Sequence, residues 1–166
     1  MAAAQVARKR FDMLKTLAPI SLTGVSDGVL VAPANSPFRT VKELIDFARA
    51  NPGVLNCGSV GPGSREHLNA AILTKRYGFS ATLAPFKGAP DAITALAQHE
   101  IQFFPSVAPL ATQFIQKKLV RPLTMMVDQR SPLLPEVPTL KGQGIDLPPL
   151  QYSGRLWRRP LARRAL

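Results

Sequence analysis

The stretch Ser59-Val60-Gly61-Pro62-Gly63-Ser64-Arg65-Glu66-His67 constrains this chain more than any other. It follows a strand-like run at 54–58 and opens a helix-like run at 66–77. A glycine-rich turn between a strand and a helix start leaves several N–H groups without intrahelical partners, where the positive end of the helix dipole adds to them. Such turns hold anions, and a carboxylate suits them as well as a phosphate. Gly61 and Gly63 permit positive φ and close backbone approach, while Ser59 and Ser64 add hydroxyls. Ser64 is placed as the N-cap, with Arg65, Glu66 and His67 in the first turn. An ordinary strand-to-helix turn with a capping serine explains the same residues. The dinucleotide fingerprint fails, because Glu66 stands where its third glycine belongs, and Gly63-Ser64-Arg65 lacks the lysine of a nucleotide P-loop. The turn therefore points to an anion and away from nucleotides.

The rest of the chain repeats that alternation. Strands are predicted at 18–22, 28–32, 54–58, 81–84, 101–104 and 123–127. Gly28-Val29-Leu30-Val31-Ala32 is continuously apolar, as a buried central strand is. Helices are predicted after Thr40, which fits a capping box with Glu43, and at 66–77, 91–98 and 110–117, with a further short one inside 1–17. Short alternating elements argue for an α/β fold, a mostly parallel sheet with helices on both faces. In such sheets ligands sit beyond the carboxyl ends of the strands. The loops at 59–64, 85–90 and 105–109 each follow a strand, so they are expected to gather on one edge. Candidate ligand-binding residues there are Ser59, Gly61, Gly63, Ser64, His67, Phe86, Gly88 and Ser106. Lys87 fits a solvated or fold-supporting role, and His67 a structural one or a mutual hydrogen bond with the loop.

Composition narrows the class. Apolar residues are 46% of 166, enough for a core, and the single cysteine, Cys57, excludes an intrachain disulfide and a cysteine zinc site. Net charge is +11, but Arg155, Arg158, Arg159, Arg163 and Arg164 lie near the end, and without them it falls to about +6. That tail has few aromatics and no recognised module around it, so no specific nucleic acid is expected as a partner. No apolar run is long enough to span a membrane, and the first residues do not have the order of an export signal. Catalysis lacks its parts: Gly-x-Ser-x-Gly spacing is absent, the only histidines are His67 and His99, and no carboxylate pair or metal cluster sits in the three loops.

Five segments in register resemble the extracytoplasmic solute receptors of tripartite tricarboxylate transporters, the Bug family. They are Thr40-Val41-Lys42-Glu43-Leu44-Ile45, Asn51-Pro52-Gly53-Val54-Leu55-Asn56, Ser59-x-Gly61-x-Gly63-Ser64-x-x-His67-Leu68, Pro85-Phe86-Lys87-Gly88, and Arg130-Ser131-Pro132-Leu133-Leu134-Pro135-Glu136-Val137-Pro138-Thr139 with Gly142 and Gly144. The resemblance implies a type II periplasmic-binding-protein fold, two lobes closing on a small di- or tricarboxylate or an amino acid. It implies no cofactor, a periplasmic location, and membrane transporter subunits as partners. By that resemblance 29–125 is the second ligand-binding lobe, 1–28 a first-lobe remnant and hinge lead-in, and 126–150 a hinge return with first-lobe remnant. Residues 151–166 read as an aberrant, disordered basic tail. The expected product is a truncated receptor, weak or inactive alone. The alternatives are a degenerate, non-functional α/β fragment and an α/β-hydrolase-type enzyme.

Overall fold

The computed structural model describes residues 18–147 and 152–158. The helix expected within 1–17 lies outside them. Strand β1 is Ala18–Ser26, and β2, Gly28–Pro33, is buried along its whole length. Both faces of β2 are apolar, so a period of two sends Leu30 and Ala32 into one core cluster and Val29 and Val31 into another. On the first face lie α1 (Val41–Ala50) and α2 (Arg65–Tyr77), joined by β3 (Asn56–Ser59). On the second lie α3 (Ala89–Ala97), which follows β4 (Thr82–Pro85), and α4 (Ala108–Gln116), which follows β5 (Phe104–Val107). Strand β6 is Val120–Met125.

β2 sits between β5 and β6, and β3 pairs with β4. A parallel bridge between Cys57 and Phe103, with the Gly58 N–H donating to the Phe103 carbonyl at 3.2 Å, joins the two groups. Across the bridged strands the order is β4-β3-β5-β2-β6. The α/β layering and the helices on both faces agree with the expectation, but the sheet is mixed and not mostly parallel. β2 runs antiparallel to both β5 and β6, while β3 and β4 are parallel. An apolar strand reports that both faces are covered, and says nothing about the direction of its neighbours.

Local chemistry sets the helix starts. Thr40 Oγ1 accepts from the Glu43 N–H at 3.2 Å, and Glu43 reaches back to the Arg39 N–H at 2.6 Å. α3 and α4 begin without a side-chain cap but carry proline in the first turn, where a missing N–H costs nothing. The loop expected at 105–109 is instead the end of β5 and the start of α4. Packing also continues past residue 125, where the lobe was expected to end. Leu140 and Ile145 join the first cluster, and Leu134 and Val137 the second. Gln143 fastens this return, its Oε1 accepting from the Val41 N–H at 3.2 Å and its Nε2 donating to the Leu123 carbonyl at 2.7 Å.

β7, Tyr152–Arg158, pairs antiparallel with β1. The reading of 151–166 as a disordered tail is thereby corrected over 152–158, because those backbone groups find ladder partners on β1. Sequence pattern alone did not show this, since the segment lacks a period-two apolar face.

Just past α3, His99 has φ 65, its N–H donating to the Leu96 carbonyl at 3.1 Å while the Glu100 N–H donates to the Ala95 carbonyl at 3.0 Å. A left-handed residue here normally is glycine. His99→Gly is expected to raise the unfolding free energy by a few tenths to about 1 kcal/mol, the relieved strain exceeding the added chain entropy. Urea titration at constant m-value checks this.

Candidate functional site

β3 and β4 run side by side in register, Ser59 opposite Pro85, so the turns after them emerge together. The Phe86 N–H donates to the Ser59 carbonyl at 2.7 Å and ties one turn to the other. β5 lies parallel to β3 through the Cys57–Phe103 bridge, so its carboxyl end reaches the same edge, where the Ala108 N–H donates to the Asp27 carbonyl at 2.9 Å. Antiparallel β2 begins at that edge, so the chain enters β2 from β1 there. The helices α2, α3 and α4 all start on this rim and turn their positive ends toward it.

Within the first turn, Gly61 and Gly63 have φ of 119 and 75, as the sequence led us to expect. Ser64 caps α2, its Oγ accepting from the His67 N–H at 3.2 Å. Ser59 is 3% exposed, and its Oγ accepts from the Gly61 N–H at 3.2 Å and lies 3.4 Å from Ser64 Oγ. His67 Nδ1 accepts from the Gly63 N–H at 2.9 Å, and the Ser64 N–H donates to the Gly61 carbonyl at 3.1 Å. The glycine amides, expected to be unpaired, are therefore held by the loop's own side chains. A half-buried N–H is costly to leave unsatisfied, so the turn closes on itself and keeps one shape. With Nδ1 as acceptor, the neutral ring carries its proton on Nε2.

The remaining candidates divide. Phe86 is half-buried against the second cluster, and Gly88 is the N-cap of α3, its carbonyl accepting from the Ala92 N–H at 3.2 Å. Ser59, Gly61, Gly63, Ser64, His67, Phe86 and Gly88 thus share one rim. Ser106 does not line it: it pairs with Val29 inside the ladder, is 1% exposed, and its hydroxyl donates to the Val107 carbonyl at 3.4 Å. Sequence reasoning missed Gly58. An added Cβ there would meet Ile101 Cδ1 at 2.7 Å and Phe104 Cδ2 at 2.9 Å, so only glycine lets the Ile101 and Phe104 side chains approach β3 this closely. No local pattern in the sequence reveals that approach.

A cavity of about 160 Å³ opens at the other edge of the sheet, beside Pro33, Phe38, Phe47, Val54, His99 and Gln102. Phe38 and Phe47 rings meet there at 5.6 Å. It is mostly apolar and remote from the glycine-serine turn, so it does not form part of the rim.

Cys57 belongs to the first cluster and is fully buried. Burial pushes its thiol far above the usual range, and the nearby Glu66 carboxylate adds to the shift. Thiol reagents are expected to label it only after unfolding. Its folded pKa is raised, so its contribution to stability is intact below the unfolded value, about 9, and is lost as pH rises beyond it. Above that point the slope contributed is about 1.4 kcal/mol per pH unit, and Cys57→Ala is expected to flatten the alkaline limb of a stability–pH curve.

Among the described residues no helix is long and apolar enough to cross a membrane, and no group of three His, Cys, Asp or Glu is placed to hold a metal ion. The fold is the one seen in periplasmic binding proteins, over about half of their length. The periplasmic binding protein BugD superposes with a TM-score of 0.86 at 21% identity, covering 98% of this chain and 55% of that one. MatC from Rhodopseudomonas palustris, solved with bound malate, gives 0.83 at 20% identity, covering 95% and 54%. The chain belongs to the tripartite tricarboxylate transporter receptor family, whose pattern matches residues 4–150. A relative from Cupriavidus necator, the UPF0065 protein in the gbd 5′ region, is 37% identical over 130 residues, 77% of this chain. Those residues span 38% of that relative's own length.

Proposed function

We propose that this chain supplies the second lobe of an extracytoplasmic receptor, which binds a small di- or tricarboxylate and presents it to the membrane subunits of its transporter. The observation that carries the reading is the pairing of turns 59–64 and 85–88 on one rim, tied by the 2.7 Å bond from Phe86 N–H to the Ser59 carbonyl. Helix starts and neutral hydroxyls hold an anion that must later be released, and no nucleophile–base pair is present on the rim to break a bond. Family membership and the malate held by MatC support the ligand class. The chain path supports the two-lobe arrangement: β1 runs directly into β2, which begins at the same edge as the turns.

In a clamshell receptor, affinity comes from both lobes closing and excluding water. One lobe is expected to bind at roughly millimolar Kd, about −4 kcal/mol. Titration of ¹⁵N-labelled chain with malate, succinate, citrate and glutamate tests this. The expected result is amide shifts confined to 59–67 and 85–89, saturating in the millimolar range. Shifts centred on the cavity beside Phe38 and Phe47, or none at tens of millimolar, would refute the assignment.

A further inference from the structure

We infer that His67 is the positioning residue of the glycine-serine turn: its ring locks the Gly63 amide and its backbone is locked in return by Ser64. The turn reverses direction at Gly61 and Gly63, both at positive φ, where glycine has the most freedom to lose. Something must select one conformation. Ser59 Oγ holds the Gly61 N–H at the front, and His67 Nδ1 holds the Gly63 N–H, at 2.9 Å, from one helical turn further on. The same histidine's own N–H donates to Ser64 Oγ at 3.2 Å, and Ser64 Oγ lies 3.4 Å from Ser59 Oγ. Ser59, Ser64 and His67 therefore form one connected set, with the two glycine amides as its load. Gly63 is buried and His67 sits in the first turn of α2, so the ring's position on the helix fixes where the turn's backbone lies before any ligand arrives.

This role requires an acceptor at the δ position, and not an imidazole as such. Asparagine places its Oδ1 on the same Cγ-bonded position as Nδ1, so His67→Asn is expected to keep the clamp. His67→Ala removes it. Hydrogen exchange at the Gly63 amide reads the bond directly in the ligand-free chain. Exchange in His67→Ala is expected to run roughly five- to tenfold faster than wild type, with His67→Asn close to wild type. Ring ¹⁵N shifts of the wild-type chain are expected to report the Nε2–H tautomer. Far-UV melting of each variant separates loss of the clamp from loss of the fold.

The inference rests on the carboxylate reading only for its consequence, which is a roughly tenfold weaker malate titration in His67→Ala and a near-normal one in His67→Asn. Equal Gly63 exchange in wild type and His67→Ala, or an Nδ1–H ring, would overturn the clamp. So would an asparagine variant that behaves like alanine. If Gly63 protection follows His67 while malate binds no form of the chain, the clamp stands and the ligand assignment fails.

Discussion

Phe103→Ala is expected to remove about 3–5 kcal/mol of unfolding free energy. Phe103 is fully buried in the first cluster, at the bridge that joins β3 to β5. The lost ring leaves a cavity inside the first cluster, beside the Cys57 bridge. Against a typical total of about 5–15 kcal/mol, that is a third or more of the lobe's stability. Guanidinium unfolding of wild type and variant at equal m-value measures it. A loss under about 1.5 kcal/mol would mean that the core closes into the space the ring leaves.

The second large effect comes from adding volume. Gly58→Ala is expected to cost about 1–3 kcal/mol, and Gly58→Val more. The new Cβ meets Ile101 Cδ1 and Phe104 Cδ2 well inside contact distance, with Ala92 Cβ at 3.4 Å behind them. The isoleucine tip can swing, but Phe104 is fully buried and has nowhere to go. The strand must shift instead, and Ser59 is the next residue along it. Shortening the obstacle tests the mechanism: Gly58→Ala with Phe104→Ala is expected to lose less than the sum of the single variants. Additive losses would show that the clash is relieved elsewhere. Because β3 carries the glycine-serine turn, amide shifts in 59–64 are expected to accompany the stability loss.

How far the sequence could be read depends on whether a feature was local. Thr40 and Ser64 were legible as caps because a cap is decided within four residues. Gly61 and Gly63 were legible as positive-φ positions for the same reason. Prolines misled. Pro105 and Pro109 suggest a loop, yet Pro105 pairs with Leu30 inside β5 and Pro109 sits in the first turn of α4. Pro122 lies within β6, where the register shift between Leu30 and Val31 accommodates it. The direction of β2 was hidden, since burial on both faces leaves the same pattern in either orientation. β7 was hidden because an arginine-rich segment becomes a strand only where β1 supplies the partner. The candidate rim was legible as the turns after β3 and β4, while the third predicted turn is the junction of β5 and α4, and the closure of the first turn was not legible. Whether the glycine amides point outward or to Ser59 and His67 depends on side-chain positions that spacing does not fix.

The placement of β2 has a consequence for how the molecule comes to exist. Its two ladder partners are encoded far downstream, Val29 waiting for both Ser106 and Met125. During synthesis the segment Val29-Leu30-Val31-Ala32 leaves the ribosome long before either mate has been translated. For most of that interval it is a naked, sticky ribbon, and yield in a cell should depend on what shields it until the final third of the lobe emerges.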